Sequence, residues 1–246
     1  MDIISARDLA VGYGRTAILR GLNFDVPAGR ITAVVGESGS GKSTLLKTLI
    51  GLLPPLAGEI RLAGAPVDFR SERSLAALYA RIGVLYQNSA LLEGLTLFEN
   101  VALPIRMRFP DRPRAEETAT VQTMLGRVGL GGAESKYPFE LSGGMRKRAA
   151  LARAMILSPD LVFCDEPSAG LDPITSSGLD DLLRGLADSH GVTFVAVTHE
   201  LRSIARIADR VLVLRDGTIR WDGRYADIPA SDDPYLREFF LRKAEP

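Results

Sequence analysis

The chain has 246 residues, and its 30 Lys and Arg are balanced by 30 Asp and Glu, so the formal net charge at pH 7 is zero. That balance excludes a protein whose affinity comes from neutralising DNA or RNA phosphates through a basic surplus, and no nucleic-acid partner is expected. An apolar content of 46% with 24% charged residues is ordinary globular composition, which excludes disorder over most of the length.

The single cysteine, Cys164, can form no intramolecular disulfide and offers no metal-site spacing, which fits a reducing, cytosolic compartment. The opening residues MDIISARDLAVGYG carry no apolar stretch of the kind a secretory signal needs, and no run reaches the length of a membrane span. Of the 30 basic residues 25 are Arg and only five are Lys, at 42, 47, 136, 147 and 243. Wherever Lys stands, it runs against this chain's habit.

In chain order, IISARDLAVGY and LNFDVPAGRI alternate polar and apolar residues and predict a small antiparallel sheet. Strands follow at 31–35, 81–86, 161–164, 192–197 and 210–214, with helices at 42–53 and 176–189 between some of them. Runs such as LVFC and FVAV are apolar throughout, as strands covered on both faces should be. From 88 to 158 the pattern turns helical, notably over 114–130 and 143–157, and reads as an insertion. The end, SDDPYLREFFLRKAEP, reads as a short amphipathic helix, with a simple packing role equally open. The fold class is therefore α/β with a mostly parallel core sheet, an antiparallel N-terminal β-subdomain and a helical insertion.

Gly36, Glu37, Ser38, Gly39, Ser40, Gly41, Lys42 and Ser43 fit the phosphate-binding pattern G-x-x-x-x-G-K-[ST]. An apolar strand leads in and a helix leads out, so loop amides and a helix N-terminus converge on one anion site. Lys42 would place a compact charge on the β- and γ-phosphates, where a planar guanidinium would not serve, and Ser43 would offer its hydroxyl to Mg²⁺. A second anion-ready helix start lies at Leu141-Ser142-Gly143-Gly144-Met145.

The apolar run at 161–164 ends in two carboxylates, of which Asp165 suits a magnesium shell and Glu166 the orientation of an attacking water. His199 follows another apolar strand, where a γ-phosphate contact and a capping or core role are both open. Gln87, ending the strand at 81–86, is equally open, and His190 reads as a loop residue.

With these segments in this order, the chain resembles the ATP-binding cassette (ABC) ATPases of the P-loop class along nearly its whole length. Tyr13 matches the adenine-stacking aromatic, Gly36 to Thr44 the Walker A loop, Gln87 the Q-loop and Leu141 to Met145 the signature, with Met145 for the usual Gln. Leu161 to Glu166 match Walker B, Ser168 to Asp172 the D-loop, and His199 the switch histidine.

The resemblance implies one cassette over 1–246, with a catalytic core at 1–87 and 159–230, a signature subdomain at 88–158 and a tail at 231–246. It implies that ATP is bound by Tyr13, by Gly36 to Thr44 and by Ser142, Gly143 and Gly144 of a second copy packed head to tail. Ser43, Gln87 and Asp165 would hold Mg²⁺, with Glu166, His199, Gln87 and Lys42 serving hydrolysis. A homodimer would then have two competent sites.

The runs at 86–106, LSGGMRKRAALARA and DEPSAGLDPITS are similar to the ATPases of Mla-type phospholipid transporters, which implies a permease and a mammalian-cell-entry (MCE) domain protein as partners. Asn88, Ser89 and Leu92 depart from that pattern in the segment expected to meet the permease. There Leu91, Leu92, Leu95, Leu97 and Phe98 are open as groove lining or as insertion core. Arg146, Lys147, Arg148 and Arg153 are open as contacts to nucleotide or the dimer partner, with a solvated face expected for most of them. An ATPase of an importer for an amino acid shares every motif. A non-transport ABC ATPase is disfavoured by the single cassette and the absence of a coiled-coil insertion.

Overall fold

The computed structural model describes residues 2–241. The polar alternation at the N-terminus produces β1 (Asp2–Tyr13) and β2 (Thr16–Pro27), an antiparallel pair. Next, β3 (Ile31–Gly36) is buried at every residue, as its unbroken apolar run requires. A glycine-rich loop leads to α1 (Lys42–Leu49), which stops short of the expected residue 53 because Gly51 turns the chain at a φ of 82°. Two strands that the apolar pattern did not announce, β4 (Ala57–Leu62) and β5 (Ala65–Pro66), complete a sheet of order β2-β1-β4-β5.

After α2 (Glu72–Tyr79), capped by the Ser71 hydroxyl, the chain enters β6 (Ile82–Leu85). Residues 88–158 then hold only helices and turns: α3 (Leu97–Arg108), α4 (Arg114–Arg127), a 3₁₀ turn at Pro138–Glu140 and α5 (Gly143–Met155). A reciprocal Thr96–Glu99 capping box fixes the start of α3.

The remaining elements are β7 (Leu161–Asp165), α6 (Pro173–His190), β8 (Thr193–Val197), α7 (Leu201–Ile207), β9 (Arg210–Arg215), β10 (Thr218–Arg224), a 3₁₀ segment at Tyr225–Ala230 and α8 (Pro234–Leu241). Asp172 starts α6 three residues early by accepting the Ile174 and Thr175 amides, and His190 is its last residue rather than part of a loop.

The larger sheet has the order β10-β9-β3-β8-β7-β6, parallel except for β10. Because β3, β6, β7 and β8 run the same way, the loops after them emerge at one carboxyl edge, where an open α/β sheet binds ligands. One face of the sheet shares a core with the insertion, in which Val162, Cys164 and Phe194 join Leu97, Val101, Ile105, Leu125 and Leu151. Burying each large aliphatic side chain contributes about 1.5–3 kcal/mol. Leu97, fully buried, belongs to this core and lines no surface groove, whereas Leu92 stays exposed.

The expected C-terminal helix is α8, whose Leu236, Phe239 and Phe240 pack with Val35, Val211 and Val213. The expected tail's residues 242–246 lie outside the described residues. Among the described residues no helix is long and apolar enough to cross a membrane.

Candidate active site

At the carboxyl edge, β3 delivers the loop 36–41 directly to α1. Gly41 is the pivot, with a φ of 98° that a side chain would strain. The first turn of α1 contains no acidic residue and no side chain caps it. Its leading amides therefore point at a ligand site with the positive end of the helix dipole behind them. Lys42 Nζ donates to the carbonyls of Gly36 at 2.8 Å and Glu37 at 2.9 Å, which holds the ammonium over the loop. Burial lowers its pKa, while the neighbouring carboxylates of Glu166 and Asp165 work in the opposite direction.

The ends of β7 and β8 supply the second half. Asp165 is half-buried, and its pKa is raised by burial and then by the charge of Glu166 beside it. Glu166 has a φ of 46°, in the left-handed region that favours glycine, and its amide donates to Val197 O at 2.8 Å. That conformation strains Glu166 and persists because the strand end around it fixes the backbone. Its Oε1 lies 2.8 Å from His199 Nδ1, while Oε2 is buried without a partner among the described residues. His199 is exposed on the cavity side.

Gly36, Glu37, Ser38, Gly39, Lys42, Ser43, Gln87, Asp165, Glu166 and His199 line one cavity of about 550 Å³. Ser40, Gly41 and Thr44 do not line it: Ser40 and Gly41 are partly buried, and Thr44 is buried in α1. The hydroxyl, amide and carboxylate oxygens of Ser43, Gln87 and Asp165 are hard donors in this one cavity. Among the described residues no cluster of three or more His, Cys, Asp or Glu could cage a metal. A divalent ion such as Mg²⁺, which shares its shell with water and phosphate, fits that donor set.

Other expected residues lie elsewhere. Tyr13 is half-exposed at the end of β1, with Lys47 Nζ 5.9 Å from its ring centroid. Ser142, Gly143 and Gly144 do not line the cavity. Ser142 is exposed and caps α5 by accepting the Met145 amide, and a Cβ on Gly144 would collide with the Thr175 methyl group.

Three features escaped the sequence reading. The solvated-face expectation for the basic residues of α5 is overturned, because each donates to backbone. Arg146 bonds Leu141 O, Arg148 bonds Val128 O and Gly178 O, and Arg153 holds Ser89 O and Ala90 O. Lys147 is 4% exposed and bridges Gln87 O at 2.6 Å and Glu166 O at 3.0 Å, which ties the signature helix to both reactive loops. The signal existed: Lys147, like Lys42, is a lysine in a chain that prefers arginine. The third feature, Phe239 of α8, also lines the cavity, and nothing in the sequence placed that helix there.

Residues 19–169 match the family described as ABC transporter. The intermembrane phospholipid transport system ATP-binding protein MlaF of Escherichia coli K12 is 39% identical over 97% of this chain and 88% of its own length. The methionine import ATP-binding protein MetN of Caulobacter vibrioides is 38% identical over 99% of this chain and 73% of its own length. Among solved structures, the dimeric post-hydrolysis state of the ATP-binding cassette MJ0796, bound to ADP and Pi, superposes with a TM-score of 0.79. It is 28% identical, covering 90% of this chain and 98% of that one.

Proposed function

The chain belongs to the ABC transporter family of ATPases, and from that premise we propose that it energises a system moving phospholipid between bacterial membranes. It works as a head-to-tail homodimer on the cytoplasmic face of the inner membrane, held there by an integral permease and supplied by an MCE-domain protein. The similarity to MlaF, 39% identical over 97% of this chain, supports the lipid reading. The segments at 86–106 and after Walker B support it as well. The competing reading is an amino-acid importer, favoured by the similarity to MetN. Phospholipid-stimulated ATP hydrolysis by the permease complex in liposomes is the expected result, and stimulation by a free amino acid alone would decide for the importer.

The observation that carries the chemical reading is the Glu166–His199 pair set beside Lys42 in one cavity. His199 holds the Glu166 carboxylate through Oε1, and that carboxylate accepts a proton from the attacking water and aims its oxygen at the terminal phosphorus. With Nδ1 engaged by Glu166, the other ring nitrogen of His199 is the contact to a phosphate oxygen. Lys42 and the amides opening α1 stabilise charge on the transferring group, and ADP leaves with phosphate as the other product. Mg²⁺, held by Ser43, Asp165 and Gln87, supplies charge neutralisation at the phosphate oxygens when bound.

Ser142, Gly143 and Gly144 lie outside the cavity of their own chain, so their role as phosphate ligands falls to a second copy. Tyr13 stacks on adenine. Glu166→Gln keeps the shape but removes the base, and turnover should fall by about 10²–10⁴-fold while ATP binding persists. Turnover near wild type in that variant would show that Glu166 is not the base.

A further inference from the structure

The pair Glu166–His199 is accompanied by a second cross-link between the segment after β7 and the segment after β8. Below it, Ser168, two residues after Glu166, meets Ser203, four residues after His199, with their hydroxyl oxygens 3.3 Å apart. Ser203 in turn donates to Asp180 Oδ2 of α6 at 2.8 Å. Ser168, Ser203 and Asp180 are 0%, 2% and 3% exposed, whereas the His199 side chain is 65% exposed. A soft, solvent-facing rung thus stands on a hard, buried one.

The Asp180 carboxylate is only partly compensated where it stands. Its Oδ1 is buried without a hydrogen-bond partner among the described residues. The guanidinium of Arg206 in α7 is bonded to Asp181. Burial raises its pKa to about 6, against the pull of the Ser203 hydrogen bond. Around it, Glu200 and Asp181 raise the value further and Arg206 lowers it. Arg202 lines the same cleft beside α6 and α7.

Hydroxyl chemistry gives the chain a direction. An ionised Asp180 only accepts, so the single hydrogen of Ser203 points to it, and Ser168 must donate to Ser203. A proton on Oδ2 reverses both bonds and frees the Ser168 hydrogen for another acceptor. We propose that the Asp180–Ser203–Ser168 chain is a positioning device that fixes the loop after Glu166 against the helix after His199, and so governs the hydrolytic step rather than ATP binding. The proposal rests on the roles given above to Glu166 and His199. None of its three residues lines the Lys42 cavity.

The test is steady-state ATP hydrolysis by the full-length chain, at concentrations that populate the dimer, from about pH 5 to 8. Wild type should show a change in kcat centred near pH 6. Asp180→Asn, which cannot titrate, should lack that change and differ from wild type in kcat by about 3- to 10-fold, with KM within about 2-fold. Ser203→Ala and Ser168→Ala each remove one hydroxyl and should lower kcat similarly. Combining Ser203→Ala with Asp180→Asn should cost no more than the worse single change, because both break one chain.

A pH profile of Asp180→Asn that superposes on wild type would overturn the proposal, as would effects confined to KM or a double variant whose losses multiply. Glu166→Gln and His199→Ala serve as controls. If they keep wild-type turnover, the active-site reading has failed. If they lose it while Asp180→Asn matches wild type, only the positioning device has failed.

Discussion

Two helices of this molecule begin as anion sites, and they are built in opposite ways. The start of α1 is uncapped, glycine-pivoted and set inside a cavity with Lys42, Asp165 and Glu166 around it. The start of α5 is closed by its own Ser142 hydroxyl and exposed, with no lysine or carboxylate of the cavity beside it. The first has its charged neighbours within one chain, whereas on the function proposed above the second serves a partner copy. The difference teaches that fit to phosphate is a property of the surroundings of a helix start, since both starts offer the same dipole.

Substituting Lys42 with Ala should break the α1 site outright. Turnover is expected to fall by about 10²-fold or more and ATP affinity to drop with it, at every protein concentration. Equilibrium binding of a fluorescent nucleotide with a parallel ATPase assay reads both. Unchanged values would mean that the loop does not cradle phosphate.

Ser142→Arg should break the α5 half-site differently. ATP binding by the single chain should persist, while turnover falls by roughly 10-fold or more. Mixing the Lys42→Ala and Ser142→Arg proteins sharpens the contrast, because a head-to-tail heterodimer contains one intact Walker A facing one intact signature. Activity of the mixture should exceed that of either protein alone. A mixture as inactive as its components would argue against composite sites.

The smallest effect concerns stability away from both helix starts. The folded protein holds the Asp180 proton more tightly than the unfolded chain does. The associated stabilisation is therefore present below the ordinary carboxylate pKa and is lost as pH rises through about 6. The difference corresponds to about 3 kcal/mol at most. Asp180→Asn escapes the loss, so its Tm should exceed that of wild type by a few degrees above pH 7, and the gap should close toward pH 4. A gap that widens on acidification would reverse the sign of this argument.

What the sequence made legible was governed by locality. The Walker A run lies within a single strand–loop–helix, and Asp165 and Glu166 end an unmistakably buried strand, so pattern alone brought them to one edge. The insertion's helicity showed through its periodicity. By contrast, the reach of a long side chain is not local: Lys147 and Arg153 find carbonyls 60 or more residues away in sequence. Phe239 reaches the cavity because α8 docks on β3 and β9, a contact between elements far apart in the chain.

Leu97 and Leu92 differ in exposure although both are leucines of one short segment, because the capping box starts α3 between them and turns Leu97 inward. Asp180 could have been found, since it shares the buried stripe of α6 with Ser176, Leu179, Leu183 and Ala187. A carboxylate on an apolar stripe is an anomaly that periodicity can display.

The backbone of Glu166 carries a last consequence. At a φ of 46° a glutamate costs on the order of 1 kcal/mol relative to glycine, and asparagine tolerates the same region better. Selection for heat resistance alone would therefore favour replacements at this position that abolish turnover. Any effort to harden this enzyme has to hold residue 166 fixed and look for its gains elsewhere.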